Sequence, residues 1–203
     1  MYRRAKRFLD TIIALCMLMI LIIPMIIEAL CIKMTSNGPV FFAQKRYGIN
    51  SKIFTMYKFR SMRVDTPEIS NQEFKNIGDY VTPVGRFLRK TSLDELPQLW
   101  NIVKGEMSIV GPRPLSDSDL YVVKLREKNG ANLVRPGITG LAQINGRNNI
   151  SDETKAALDN AYANHITLLG DLTILLRTVL NVLMVKDINK DIEDDVNNDI
   201  NNL

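Results

Sequence analysis

At 203 residues the chain is long enough for one domain with a real core, and its 46 % hydrophobic and 24 % charged residues are ordinary globular usage outside one segment. A net charge of +4 suits an anionic partner such as a phosphate, a membrane surface or a nucleic acid. The single histidine, His165, argues against a histidine triad or a His-rich zinc site, and Cys16 and Cys31 read as small apolar residues rather than as a disulfide.

The first element is the apolar run Thr11 to Ile32, preceded by the basic flank Tyr2-Arg3-Arg4-Ala5-Lys6-Arg7. As a helix it is about 33 Å long at roughly 1.5 Å per residue, enough to cross hydrocarbon. No small-residue cleavage site follows it, which argues against a removed signal peptide. Pro24 sits at its midpoint and cannot donate to the carbonyl of Ile20, so a bend is expected there. Glu28 follows four residues later, costly at bilayer depth by about 2.5–3.5 kcal/mol. Lys33, Lys45 and Arg46 make the far flank basic as well, and basic flanks stay cytoplasmic. A re-entrant hairpin and a single-pass helix with a tolerated proline are both open on these residues alone.

Beyond a turn at Ser36-Asn37-Gly38-Pro39, the runs Val40 to Phe42 and Ile53 to Phe59 read as a β-hairpin around a Gly/Asn/Ser loop. Val64 to Asp79 reads as loop with a short helix, and Val84 to Arg89 as a short basic helix. Leu96, Leu99, Trp100 and Val103 form a helical stripe, and Met107 to Val110 a short buried strand. Leu120 to Lys128 looks helical, Arg135 to Gly140 a turn into the apolar run Leu141 to Ile144, and Asp152 to Val185 helical with a break near Gly170. The last of these helices is apolar nearly all round, as in a buried helix or one lying on a membrane. The Asp/Asn-rich tail has little to bury. The reading is an α+β protein, mostly helical, in three parts: a basic flank and membrane helix over 1–35, a catalytic domain over 36–186, and a tail over 187–203.

The chemistry concentrates between Arg86 and Pro114. Ser92-Leu93-Asp94-Glu95 has the spacing of a capping box, which would explain both carboxylates structurally. Pro97 complicates that account, because it suits a helix that starts nearer Asp94. Asp94 is a competent nucleophile toward phosphorus, Glu95 can hold Mg²⁺ together with substrate phosphate oxygens, and Arg86 and Arg89 can neutralise a diphosphate. Prolines on both sides of Arg113 suggest a positioned guanidinium. Lys58, among aromatics, and Arg147, in a glycine-containing loop, have bland readings as a snorkelling lysine and a solvated arginine.

The blocks YKFRSMR, VGRFLRKTSLDELPQLWNIVKGEMSIVGPRP and VRPGITGLAQINGRN, after an N-terminal KRFLD and a Pro-containing apolar segment, strongly resemble the bacterial sugar transferase family. These are monotopic phosphoglycosyl transferases that start glycan assembly. The resemblance implies transfer of a phospho-sugar from a UDP-sugar to undecaprenyl phosphate with release of UMP, at the cytoplasmic face of the bacterial inner membrane. It implies Asp94 as nucleophile, Glu95 as the Mg²⁺ residue, and Lys58, Arg89 and Arg113 at the substrate, with Arg147 and Asp171 as further polar positions. It also turns the balance at Pro24 toward the re-entrant helix. Two departures stand out: Ile23 where members often have Ser, and Leu141 where they often have Trp. A catalytically silent membrane scaffold is the rival from another class, and an intact DE pair argues against it. A nucleic-acid binder lacks the aromatic platform it needs. The sequence leaves open the sugar, the glycan pathway and whether a homo-oligomer forms.

Overall fold

A computed structural model describes residues 2–67, 77–146 and 150–184. The elements are α1 (Tyr2–Thr35), β1 (Phe41–Tyr47), β2 (Ile53–Phe59), α2 (Pro83–Thr91), α3 (Gln98–Lys104), β3 (Ser108–Val110), α4 (Leu120–Asn129), β4 (Gly137–Thr139), α5 (Leu141–Ile144), α6 (Asp152–Asn164) and α7 (Leu168–Leu183). The protein is therefore α+β, with a long apolar N-terminal helix and a small antiparallel hairpin, β1–β2. A second pair, β3–β4, is parallel.

α1 is helical through Pro24. Its inward face recurs at helical spacing: Lys6, Asp10, Ala14 and then Leu18, Leu21, Met25, Glu28 and Ile32 are buried or half-buried. This one stripe continues across the proline, and everything it touches belongs to the same folded body. Ala14 packs with Met56, Leu99, Ile102 and Met107, and Ile32 with Phe59 and Leu88. At the start of α1, Arg7 donates to the carbonyls of Ile102 (2.6 Å) and Val103 (3.0 Å). Beyond its end, Arg60 donates to the carbonyls of Asn37 (2.6 Å) and Ser36 (2.9 Å). The outward face is apolar, including Ile20, Ile23, Ile27 and Leu30. The two cysteines are exposed and unpaired on this helix.

Asn101 of α3 closes the edge of β2 that β1 leaves open. Its Oδ1 accepts from the Tyr57 amide (3.1 Å), and its Nδ2 donates to the Thr55 carbonyl (2.7 Å) and to Glu106 (2.7 Å). A fully buried amide thereby replaces a third strand and satisfies backbone groups that would otherwise be orphaned.

Several sequence expectations are revised. The first strand runs on to Tyr47, because Arg46 and Tyr47 pair with Phe54 and Ile53 and Tyr47 also bridges to Leu115. This takes Arg46 off the membrane flank and into the body, where its side chain is 16 % exposed. Gly137–Thr139 is a strand rather than only a turn. It runs so close to the loop after β3 that a Cβ on Gly137 would lie 2.1 Å from the Gly111 nitrogen. The last helical stretch breaks at His165–Thr167 instead of near Gly170, since Thr167 caps α7 by accepting from the Gly170 amide (3.0 Å). α7 buries Asp171 and Ile174 and exposes Leu168, Leu169, Leu172, Leu176, Val179 and Leu180, so an apolar face is left outside. Leu141 packs against the Val110–Tyr162–Ile174 cluster. Most of the loop over 64–79 and the tail over 187–203 lie outside the described residues.

Candidate active site

Two helices and one turn place the carboxylate pair. Thr82 caps α2 by accepting from the Gly85 amide (2.9 Å), and Pro83 opens it where no backbone donor is needed. Ser92 ends α2 in the left-handed conformation (φ 57°). Leu93–Glu95 then forms a single 3₁₀ turn, and Pro97 leads into α3. The capping box read from Ser92 and Glu95 is not formed: Ser92 caps no helix with its side chain, because its backbone is committed to terminating α2. Leu93 and Leu96 pack on Ile32, Phe59 and Leu88, which pins the turn between them. Asp94 is consequently held by packing on both sides, with its own side chain turned into the body.

Asp94 is 8 % exposed. Burial pushes its carboxyl up to about 6; Lys58 and Arg89 pull it down, and Glu95 beside it pushes it up. Lys58 of β2 donates to Glu95 Oε1 at 2.7 Å. Glu28 of α1 completes the surroundings: it is buried, within electrostatic reach of Asp94, and its Oε2 has no hydrogen-bond partner among the described residues. Its sequence signal, a carboxylate in an apolar helix, read only as a membrane oddity.

The other sequence candidates fall into three places. Arg89 lies beside Asp94, whereas Arg86, one turn earlier on α2, is exposed. Arg113 is exposed between two buried prolines, and its carbonyl accepts from Arg126 (2.8 Å), which in turn pairs with Asp159 at 2.5 Å. It stands near Arg46, which the sequence reading had not placed at a site. The cue for Arg46 was alternation: in the hairpin register, Phe42, Gln44 and Arg46 share a face with Lys58, Met56 and Phe54. Asp171 belongs to a separate buried cluster, where Lys6 reaches it at 2.9 Å and the hydroxyls of Tyr2 and Tyr162 donate to it at 2.8 Å each. Pro24 lies inside the continuous helical span of α1, and Arg147 lies outside the described residues.

Among the described residues no group of three or more His, Cys, Asp or Glu side chains is placed to hold a metal ion. Two adjacent carboxylates, one of them buried, fit a Mg²⁺ ion that takes the rest of its shell from phosphate oxygens and water. The arrangement is suited to attack on phosphorus: a desolvated carboxylate, a lysine and an arginine to balance charge, and a second carboxylate at its side.

A family described as bacterial sugar transferase matches residues 1–185. The chain is 39 % identical to the undecaprenyl-phosphate galactose phosphotransferase of Salmonella typhimurium, over 89 % of this chain and 42 % of that protein. It is 42 % identical to the UDP-glucose:undecaprenyl-phosphate glucose-1-phosphate transferase of Klebsiella pneumoniae, over 84 % of this chain and 38 % of that one. With the uncharacterized sugar transferase EpsL of Bacillus subtilis it shares 40 % identity, over 90 % of this chain and 89 % of its relative. The chain thus spans about two fifths of the length of the first two and nearly all of the third.

Proposed function

The chain belongs to the bacterial sugar transferase family, and we propose on that premise that it moves a sugar 1-phosphate from a UDP-sugar to undecaprenyl phosphate. The observation that carries this reading is the buried Asp94 beside Glu95, flanked by Lys58 and Arg89. An Asp94 oxygen attacks the sugar-bearing phosphorus of the donor. The bond from that phosphorus to the oxygen bridging the two phosphates breaks, and UMP leaves with the bridging oxygen. The phospho-sugar stays on Asp94 as an acyl phosphate. A phosphate oxygen of the lipid then attacks the same phosphorus, and the Asp94 carboxylate departs. No net proton transfer is required in either step, which agrees with a site that holds no histidine. Glu95 and the substrate phosphates are the residues and groups to hold Mg²⁺, which when bound supplies charge neutralisation. Lys58 and Arg89 orient the transferred phosphoryl group, and burial strips water from the nucleophile. The two named relatives act on galactose and glucose, so a UDP-hexose is the first donor class to test.

The enzyme works at the cytoplasmic face of the bacterial inner membrane with α1 as a re-entrant element. The support is the stripe from Lys6 to Ile32: residues before and after Pro24 pack on one body bearing buried charges, so neither end is free to be carried to the far side of a bilayer. The outward apolar faces of α1 and α7 supply the lipid contact. In a Cys16→Ala/Cys31→Ala background, single cysteines at positions 2 and 50 are expected to react with a membrane-impermeant thiol reagent only after the cells are opened. Labelling of one of them in intact cells would sink the re-entrant arrangement.

The activity test uses purified protein, Mg²⁺, undecaprenyl phosphate and a panel of UDP-sugars, with UMP release as the readout. Release with at least one UDP-hexose is expected, together with a phospho-sugar mass adduct on Asp94 when the lipid is omitted. Silence with every sugar, or an adduct on another residue, refutes the assignment.

A further inference from the structure

Arg46 and Arg113 make a second cationic centre, on the hairpin face that Lys58 shares but farther along it. Four residues separate Arg46 from Phe42, the cross-strand partner of Lys58, or about 13 Å at roughly 3.3 Å per residue. The centre is under-neutralised. Among the described residues Arg46 has one carboxylate within ion-pair distance, Asp119, at a long 3.8 Å. That carboxylate already accepts from the amide (2.9 Å) and hydroxyl (2.8 Å) of Ser116. Gln44 accepts one Arg46 bond at 2.5 Å, while the buried Arg46 Nε has no partner among the described residues. Arg126, the third arginine of the group, is already balanced by Asp159. Arg113 makes no ion pair among the described residues.

Two guanidiniums held together against their own repulsion need a reason. Burial and the neighbouring Arg113 charge hold Arg46 down to about 10. The backbone enforces the approach: the Tyr47 amide donates to the Leu115 carbonyl (2.8 Å), so β1 and the Pro112-Arg113-Pro114 loop are tied side by side. An anion between the two side chains would relieve the repulsion and supply the acceptor that Nε lacks.

We propose that Arg46, with Arg113, binds the phosphate of the donor that stays with the nucleoside, and so receives the leaving UMP. This rests on the transferase reading above. The transferred phosphoryl group lies at the Lys58–Arg89 end and the nucleotide phosphate at the Arg46–Arg113 end. When the bridging bond breaks, that phosphate changes from a monoanionic group with one ester and one anhydride link to a dianionic monoester. A positioned guanidinium fork gains most from the change, so Arg46 stabilises the leaving group as well as the bound donor.

The test compares wild type with Arg46→Gln and Arg46→Lys. Arg46→Gln is expected to lower kcat/KM for the UDP-sugar by about 100-fold and to weaken product inhibition by UMP at least ~10-fold. The KM for undecaprenyl phosphate should stay at the wild-type value. Arg46→Lys, which keeps the charge and loses the fork, should fall between the two. If Arg46→Gln does not fold, Arg46→Lys alone decides, and wild-type UMP inhibition in it overturns the proposal. Unchanged UMP inhibition in a folded Arg46→Gln does the same, and so does a KM defect for the lipid as large as that for the nucleotide. Direct UMP titration by calorimetry separates the two readings. Should wild type release no UMP from any sugar, the transferase assignment falls, and the anion subsite stands or falls on whether UMP binding is lost in Arg46→Gln.

Discussion

Asp94→Asn is expected to abolish UMP release and also to make the protein more stable. The two effects share one cause. Burial lifts the Asp94 carboxyl from its ordinary 3.8 to about 6, which means that the folded protein holds the charged form at a disadvantage. A carboxyl raised in this way favours folding only below its unfolded value, and that advantage is lost as pH rises through the folded one. Stability should decline between about pH 4 and pH 6 and level off above. A shift of this size is worth on the order of 2–3 kcal/mol at pH 7. The neutral amide escapes that penalty, so its melting temperature should exceed wild type by roughly 5–10 °C at pH 7. The gap should close below about pH 4. The measurement is thermal unfolding of both proteins across pH 4–8 in metal-free buffer, because a bound cation would offset the charge. Equal melting temperatures at pH 7 would show that Asp94 is better solvated than its burial implies. Catalysis has the opposite appetite: attack on phosphorus needs the carboxylate, so wild-type activity should fall as pH drops below about 6.

Lys6→Met should be the most damaging single change outside the site. Lys6 Nζ lies 2.9 Å from Asp171 and 3.5 Å from Asp10, and all three side chains are nearly buried. Among the described residues it is the one cation within ion-pair distance of either carboxylate. Ser108 donates to Asp10 at 2.6 Å and the two tyrosines to Asp171, so both acids are hydrogen-bonded but share a single balancing charge. Removing it strands two buried negative charges, at a cost of about 3–5 kcal/mol, or a fall of ~10 °C or more in melting temperature. Adding Asp171→Asn to Lys6→Met should recover part of the loss, since one stranded charge is neutralised while an acceptor for the tyrosine hydroxyls remains. Additive losses in the double variant would mean that the three side chains do not act as one unit. Activity should follow the melting curve, because this cluster holds α1 against α7 and touches neither carboxylate of the site.

These contrasts show which parts of the molecule sequence reasoning reaches. Ile53–Phe59 was legible from its aromatic and β-branched residues after a turn, the stripe of α3 from its period, and the short strand after it as a buried run ended by Gly111-Pro112. The β3–β4 pairing was not: Gly-Ile-Thr carries no period, and only the close passage of Gly111 and Gly137 makes a strand of it. Ser92 misled because a serine three residues before a glutamate fits a helix start, while the same residue also tolerates the left-handed turn that ends one. The DE pair and Lys58 were readable as candidates from motif and residue type, and the fold places Lys58 2.7 Å from Glu95. The positions of Glu28 beside Asp94 and of Arg46 near Arg113 were not readable, since each is placed by partners far away in the chain: Glu28 by the packing of α1, Arg46 by its register against β2 and the bridge of its neighbour Tyr47 to Leu115.

The bond from Tyr2 to Asp171 joins residues 169 positions apart. On the ribosome, Lys6 and Asp10 therefore emerge long before Asp171 exists. At about 5–20 residues per second the wait is roughly ten to thirty seconds. Through that interval Lys6 has only Asp10, within α1 itself, as an ion-pair partner. On the proposed membrane placement of α1, insertion would precede the completion of this cluster, which waits for the last helix. A chain arrested before α7 would be expected to stay on the membrane yet remain open to protease, an order of assembly written into which residues neutralise which.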